Sequence, residues 1–340
     1  MSFEEYEPES MLVVPENPVT RAKFPFVDVH NHQWGPRLGE DTVAQTVKDM
    51  DALNMAVMVN LSGRSGAELK QVVAALKGRH PGRFVVFANP SFDNIDDPEY
   101  PDQVAAQFEA DVKAGAQGLK IFKNLGMYVR DGSGARVQVD DPRLDKLWAK
   151  AGELGVPVLI HTGDPAAFWL PHDKSNERWL ELKQRPRRKR TGEPTFDQLL
   201  TEQTNVFRNH PETTFIAAHF LWLAHDLDRL GGYLDTIPNM LTELGAVIYD
   251  PGRQPRRAAE FFDKYQDRIL MGKDSWAPTE YYTYFRVLET ADEYFPYYRK
   301  RHAFWRLYGL DLPDDVLRKV YYKNAMRIIP GIDASLFPSD

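Results

Sequence analysis

Eight short apolar runs, each separated from the next by a longer stretch, constrain what this chain can fold into more than any other feature. They fall at 26–29, 56–61, 84–88, 118–122, 157–160, 214–218, 240–244 and 268–271, each four to six residues long and rich in Val, Ile, Leu or Phe. Runs of this length and composition are how strands covered on both faces of a parallel sheet read. The stretches between them look helical. Residues 41–53 place Val43, Val47 and Met50 on one face behind acidic Glu40 and Asp41. Residues 66–77 and 102–114 stop at Gly78 and Gly115, and 141–154 opens on Asp-Pro and stops at Gly155.

Strands alternating with helices pair in parallel through right-handed crossovers. An open doubly wound sheet is the structural alternative. The number of runs and the placement of the polar residues predict instead an α/β chain folded as one (β/α)8 TIM barrel over 24–330. A 1–23 N-terminal extension and a 331–340 tail flank it. At 340 residues the chain is long for one domain, but barrels reach this length. Two segments fall outside the repeat. Residues 165–195, after the fifth strand, carry Phe168, Trp169, Trp179 and the basic run 183–190; residues 278–312, after the eighth, form an aromatic-rich, helical extension. Segments that follow barrel strands lie on the catalytic face. The basic run reads as a solvated loop or an anion-attracting lid. The aromatic stretch reads as packing with a few pocket residues, and its exposed part as a homodimer contact.

The formal net charge of −7 argues against a nucleic-acid partner, which needs a basic face. No apolar stretch approaches the roughly 20 residues that span a bilayer. The acidic first ten residues lack the pattern of a secretory signal, so a cytoplasmic enzyme with a small-molecule substrate is expected. The chain has no cysteine, which excludes disulfides, thiolate metal sites and a cysteine nucleophile. Any metal must rely on His, Asp, Glu or modified Lys, ligands that suit Zn, Mn, Fe or Ni.

Four of the nine histidines stand at carboxyl ends of these runs. His30 and His32 follow Val27-Asp28-Val29, and at i and i+2 both can face the barrel mouth. His161 and His219 close the fifth and sixth runs, and Asp274 lies just beyond the eighth, which neighbours the first in a closed barrel. Asp28 alternates onto the same face one step deeper, where it can support a ligand. Lys120 interrupts the fourth run, a costly place for an ammonium unless it is paired, neutralised or modified. A metal-bridging carboxylated lysine, a substrate-binding ammonium and a structural ion pair all remain open for it. One strand-end histidine is more often structural than a ligand; five donors so placed point to a metal site. His80, His172, His210, His225 and His302 receive no role.

Asp28-Val29-His30-Asn31-His32 resembles the Asp-x-His-x-His signature of the amidohydrolase superfamily, completed in order by His161, His219 and Asp274. Residues 269–274 and 322–327 are similar to motifs of its amidohydrolase-2 branch, and the resemblance covers about 24–330. It implies that His30, His32 and Asp274 hold the more buried ion. His161 and His219 would hold a second, or one of them would ligate and the other act on substrate or water. Lys120, carboxylated, would bridge a pair of ions; the branch also contains single-metal decarboxylases and hydratases. One or two divalent ions are therefore expected, zinc first, with Mn, Fe or Ni compatible. His219 is followed by Phe220-Leu221-Trp222 where relatives commonly have Gly, which implies a bulkier pocket wall.

The function this implies is hydrolysis of an amide, lactone or ester by metal-activated water. Asp274 would carry the proton, and His219, with the ion, would stabilise the oxyanion. Non-oxidative decarboxylation of an aromatic or unsaturated acid is the alternative, and iron-dependent oxygenation a remoter one. A barrel kept only as a binding module is a fourth, opposed by retention of all five ligands. Trp169, Trp222 and Trp276 are candidate pocket residues, and Lys123, Arg130 or Arg253 candidate carboxylate anchors.

Overall fold

All eight runs are strands in the computed structural model, which describes residues 1–339. In chain order they are β1 (Phe26–Asn31), β2 (Met55–Asn60), β3 (Phe84–Val86), β4 (Leu119–Ile121), β5 (Val158–Ile160), β6 (Phe215–Ala217), β7 (Met240–Glu243) and β8 (Ile269–Leu270). Among these eight, pairing is parallel, as β1-β2-β3 and as β4-β5-β6-β7-β8; a short antiparallel pair, Phe295–Pro296 with Arg306–Leu307, lies in the segment after β8. Two narrow seams join these sheets. At one, Ala88 bridges Leu119 in parallel, and the Lys120 N–H donates to the Ala88 carbonyl at 2.8 Å. At the other, the Val29 N–H donates to the Met271 carbonyl at 2.9 Å, and the Asp274 N–H to the His30 carbonyl at 2.6 Å. This second seam sets Asp274 beside the end of β1.

The helices cover the outside with their apolar stripes. Glu40–Leu53 buries Val43, Met50 and Leu53 against the sheet. The 66–77 helix is α-helical only over Gly66–Val73 and loosens into a π turn at Ala74–Gly78. The 141–154 helix starts as a 3₁₀ turn, Pro142–Leu144, whose open N–H at Arg143 is capped by the Asp141 side chain; Asp145–Glu153 follows. Among the described residues no helix is long and apolar enough to cross a membrane.

Most of the aromatic C-terminal stretch packs against the barrel, as expected of it. Helix Tyr281–Glu289 buries Tyr281, Tyr284 and Phe285, and Phe295 and Tyr297 are buried too. Its rings fill the space beside β1, with Phe26 meeting Phe285 edge-on at 5.4 Å, while Tyr294 stays exposed. The N-terminal extension crosses the 165–195 and 278–312 segments. Phe3 packs edge-on against Trp179 at 6.3 Å and Phe304 at 5.8 Å. Glu4 pairs with Lys183 and Glu7 with Lys300.

Candidate metal centre at the barrel mouth

β1 ends by delivering His30 to the floor of the mouth. His30 is fully buried, and its Nδ1 lies 2.9 Å from Glu243 Oε1. A carboxylate only accepts, so Nδ1 carries the proton and Nε2 keeps its lone pair. That Nε2 has no hydrogen-bond partner and lies 3.4 Å from Asp274 Oδ1. His32 Nδ1 meets Ser62 Oγ at 2.9 Å, and its Nε2 is 3.5 Å from the same Asp274 oxygen. One donor atom from each of His30, His32 and Asp274 falls within 4.8 Å of the others, close enough to share an ion.

His219, at the end of β6, is held by two bonds. Its N–H donates to Glu243 Oε1 at 2.6 Å, and its Nδ1–H donates to the Gly245 carbonyl at 2.6 Å. The ring's Nε2 is left as a lone pair, 3.3 Å from His161 Nδ1. His161 Nε2 is buried without a partner. Burial pushes His219 down to about 4, and it pushes His30 and His161 well below the usual imidazole range. All three are thereby held in the neutral form that binds metal.

Glu243, at the end of β7, is a site residue that the apolar character of its run conceals in the sequence. It accepts from His30 Nδ1 and from the backbone N–H groups of His219 and Gly245, so one carboxylate orients the His30 ring and fixes the backbone that carries His219. His30, His219 and Glu243 also lie close enough to form a donor cluster of their own. His30 Nδ1 is spent on the carboxylate, however, so this group works as a hydrogen-bonded brace. Gly272 is required beside it: a Cβ there would collide with the Glu243 carboxylate and sit 3.1 Å from His30 Cβ. The signal that could have found Glu243 is the one that marks Lys120, a charge inside an apolar run.

Lys120 lies wholly inside the barrel and its Nζ has no hydrogen-bond partner. Burial lowers it to about 7, against the pull of Glu243 and Asp274. It makes no ion pair among the described residues, which removes the structural-pair reading. Asp28 accepts from the His30 N–H at 3.0 Å, the Lys273 N–H at 3.1 Å, Asn31 at 2.8 Å and the Tyr281 hydroxyl at 2.5 Å. It stitches the backbone of β1 to the loop carrying Asp274 and touches no imidazole ring.

The backbone at the mouth is strained. Asp274 has φ 84, and His219, Phe220, Leu221 and Trp222 have φ 58, 52, 55 and 56 in succession. Left-handed backbone costs an L-residue about 1–2 kcal/mol, and such strain collects at functional sites. This turn swings His219 and Trp222 onto the wall of one cavity.

That cavity, of about 280 Å³, is lined by His161, His219, Asp274, Lys123 and Trp222, and by residues of the two added segments. The other pocket residues expected from the sequence lie elsewhere, so those expectations are corrected. Trp169 donates to the Pro194 carbonyl and packs on Phe196, and Trp276 packs on Tyr281. Arg130 donates to the Met127 and Val129 carbonyls beside a different cavity. Arg253 is tied to Glu177 and Asp250 on an adjoining one. Lys123 is at the site, paired with Asp164 at 2.6 Å.

Fold and mouth together define an α/β barrel whose strand ends gather imidazole and carboxylate donors around one point. The chain belongs to the amidohydrolase family, in its amidohydrolase-2 branch, whose model matches residues 27–331. No curated protein sequence matches it. Among solved structures, an uncharacterized TIM-barrel protein from Bordetella bronchiseptica is similar over 89% of this chain and 97% of its own, at 16% identity and TM-score 0.56. A dihydroxybenzoic acid decarboxylase from Polaromonas, with bound manganese and 2-nitroresorcinol, is similar over 92% and 99%, at 13% identity and TM-score 0.56. A 4-oxalomesaconate hydratase from Rhodopseudomonas palustris is similar over 92% and 97%, at 14% identity and TM-score 0.55. At such identities the likeness is one of fold.

Proposed function

We propose that the protein is a metal-dependent hydrolase of an amide, lactone or ester bond in a small molecule. The observation that carries this is a set of buried, unpartnered atoms around one mouth: His30 Nε2, His161 Nε2 and Lys120 Nζ. Buried polar atoms without partners are costly and rare; bound cations would satisfy the two imidazole lone pairs, and carboxylation would turn Lys120 from a buried amine into a ligand. His30, His32 and Asp274 would hold one divalent ion. His161, His219 and a carboxylated Lys120 would serve a second, since an amine pushed to about 7 by burial is free to react with carbon dioxide. Zinc is the first candidate, with manganese, iron or nickel compatible. Bound there, an ion supplies polarisation of the scissile carbonyl and a more acidic water.

The chain's own groups do the rest. Asp274 borders the cavity and would take a proton from the attacking water and return it to the leaving group. His219 keeps its proton on Nδ1 against the Gly245 carbonyl, so its Nε2 enters as ligand or proton acceptor. Trp222 walls the cavity. The decarboxylase reading is favoured by a different observation: the His30, His32 and Asp274 cluster is complete for one ion, and a manganese-bound decarboxylase shares the fold.

Metal analysis of the purified protein tests both. Two equivalents, with a carbamate signal on Lys120, support the hydrolase; less than about 0.2 ion per chain after gentle purification would end the metal reading. With a substrate in hand, oxygen-18 from water entering the product marks hydrolysis. Release of carbon dioxide instead marks the lyase.

A further inference from the structure

The outer wall of the cavity is built by chain that is no part of the barrel. Helix Trp179–Gln184 and the turn Pro186–Arg188 supply one side, and the turn Lys300–His302 the other. With them come Arg178, Arg185, Arg188, Arg299 and Arg301, which line the cavity together with Lys123. Three carboxylates face these six cations: Asp164, Glu181 and Asp274. Asp164 is already paired with Lys123 and Arg190, and Asp274 belongs to the mouth.

Arg299 pairs with Glu280 at 3.3 Å, which leaves Glu181 to serve the rest of the arginine wall. Glu181 is fully buried and takes Arg178 on Oε2 and Arg188 on Oε1, both at 2.5 Å. Arg301 Nε stands 3.6 Å from Oε1, and His302 Nε2 3.6 Å from Oε2, both beyond hydrogen-bond reach. One negative charge cannot neutralise three guanidiniums. Arg178 is satisfied, since it also donates to the Tyr249 hydroxyl at 2.8 Å and is boxed in by the Phe168, Tyr249 and Trp305 rings. The surplus falls on the others. Arg301 Nε is buried with no hydrogen-bond partner, and burial together with the neighbouring arginines pushes that guanidinium down to about 10. Arg185 lines the same cavity and makes no ion pair among the described residues.

A solvated basic loop would scatter its charges outward. Here Arg185, exposed at the rim, Arg188 and Arg301 converge on a concave space bordered by the barrel mouth, and the buried, unpartnered Nε of Arg301 is unfavourable until an anion meets it. We infer that the substrate carries a carboxylate remote from its reacting bond, seated between Arg185, Arg188 and Arg301. The inference rests on the hydrolase reading only for where the reacting bond lies. Guanidinium forks match a planar carboxylate with paired hydrogen bonds. The volume of about 280 Å³ lies at or below the low end of the roughly 300–1,000 Å³ of drug-sized pockets, which suits a small acid.

Calorimetric titration of the full chain with benzoate, isophthalate, benzamide and inorganic phosphate tests this. Benzoate and isophthalate should bind more weakly as salt rises, and benzamide should not bind. Arg185→Gln should weaken both carboxylates about tenfold with an unchanged melting temperature, because Arg185 has no protein partner to lose. Arg301→Gln should do the same, and Arg301→Lys should restore only part of the loss. Benzoate should keep its Arg185 dependence in His30→Ala protein, so the anion site is measured even if the mouth holds no metal. Carboxylate affinities that ignore both arginine substitutions overturn the inference. So would phosphate binding more tightly than either carboxylate with the same Arg185 dependence, which would make the occupant a phosphate.

Discussion

The floor and the outer wall of this cavity solve opposite electrostatic problems. The floor is made of barrel strand ends and keeps its imidazoles neutral by burial, with lone pairs aimed inward and the Nδ1 protons donated to Glu243 and the Gly245 carbonyl. The wall is made of added segments and crowds Arg178, Arg188 and Arg301 around one carboxylate, Glu181. The floor is short of cations and the wall is short of anions. On the proposed reading, one molecule places reaction chemistry on rigid strands and selectivity on the segments between and after them.

Breaking the floor should have the largest effect. His30→Ala is expected to remove bound metal and lower kcat/KM at least about a thousandfold, checked by metal analysis beside kinetics, while benzoate binding survives. The wall's strongest point is Glu181. Glu181→Gln leaves Arg178 buried without its counter-charge and should cost about 3–5 kcal/mol of stability in urea unfolding, with little change in metal content if the protein is kept folded. Glu243→Gln sharpens the contrast from the floor side. It removes the anion that accepts from His30 and His219, so metal affinity in a chelator competition should fall about 10–100-fold. The mildest test removes residues 1–8. Phe3 then no longer braces Trp179 and Phe304, contacts of about 0.5–1.5 kcal/mol; KM should rise with kcat within about twofold, because only the wall loosens. An equal fall in kcat and kcat/KM would show instead that wall and floor move as one body.

Much of the floor is legible in the sequence because barrel geometry makes position meaningful. A polar residue at the end of an apolar run has one place to go, so His30, His32, His161, His219 and Asp274 converge on one mouth as expected. Glu243 obeys the same rule, but 240–244 reads as uniformly apolar when only its outline is taken. Its partner His30 is 213 residues away, so no local pattern announces the brace. The wall is illegible for a different reason. Loops have no period, so nothing in the sequence says that Arg301 turns toward Glu181 while Arg253 turns toward Glu177. Trp169 and Trp276 mislead for the same reason, whereas Trp222 is fixed by the turn that carries His219.

That turn has a practical corollary for anyone wishing to retarget the protein. Four successive side chains from His219 to Trp222 are threaded through left-handed backbone without a glycine among them, so a donor atom and a piece of pocket lining hang from one hinge. Enlarging the chamber at Trp222 risks unseating the imidazole three places earlier. Redesign of the accepted molecule belongs with the arginine-bearing segments, where side chains can be exchanged with the donor cluster left in register.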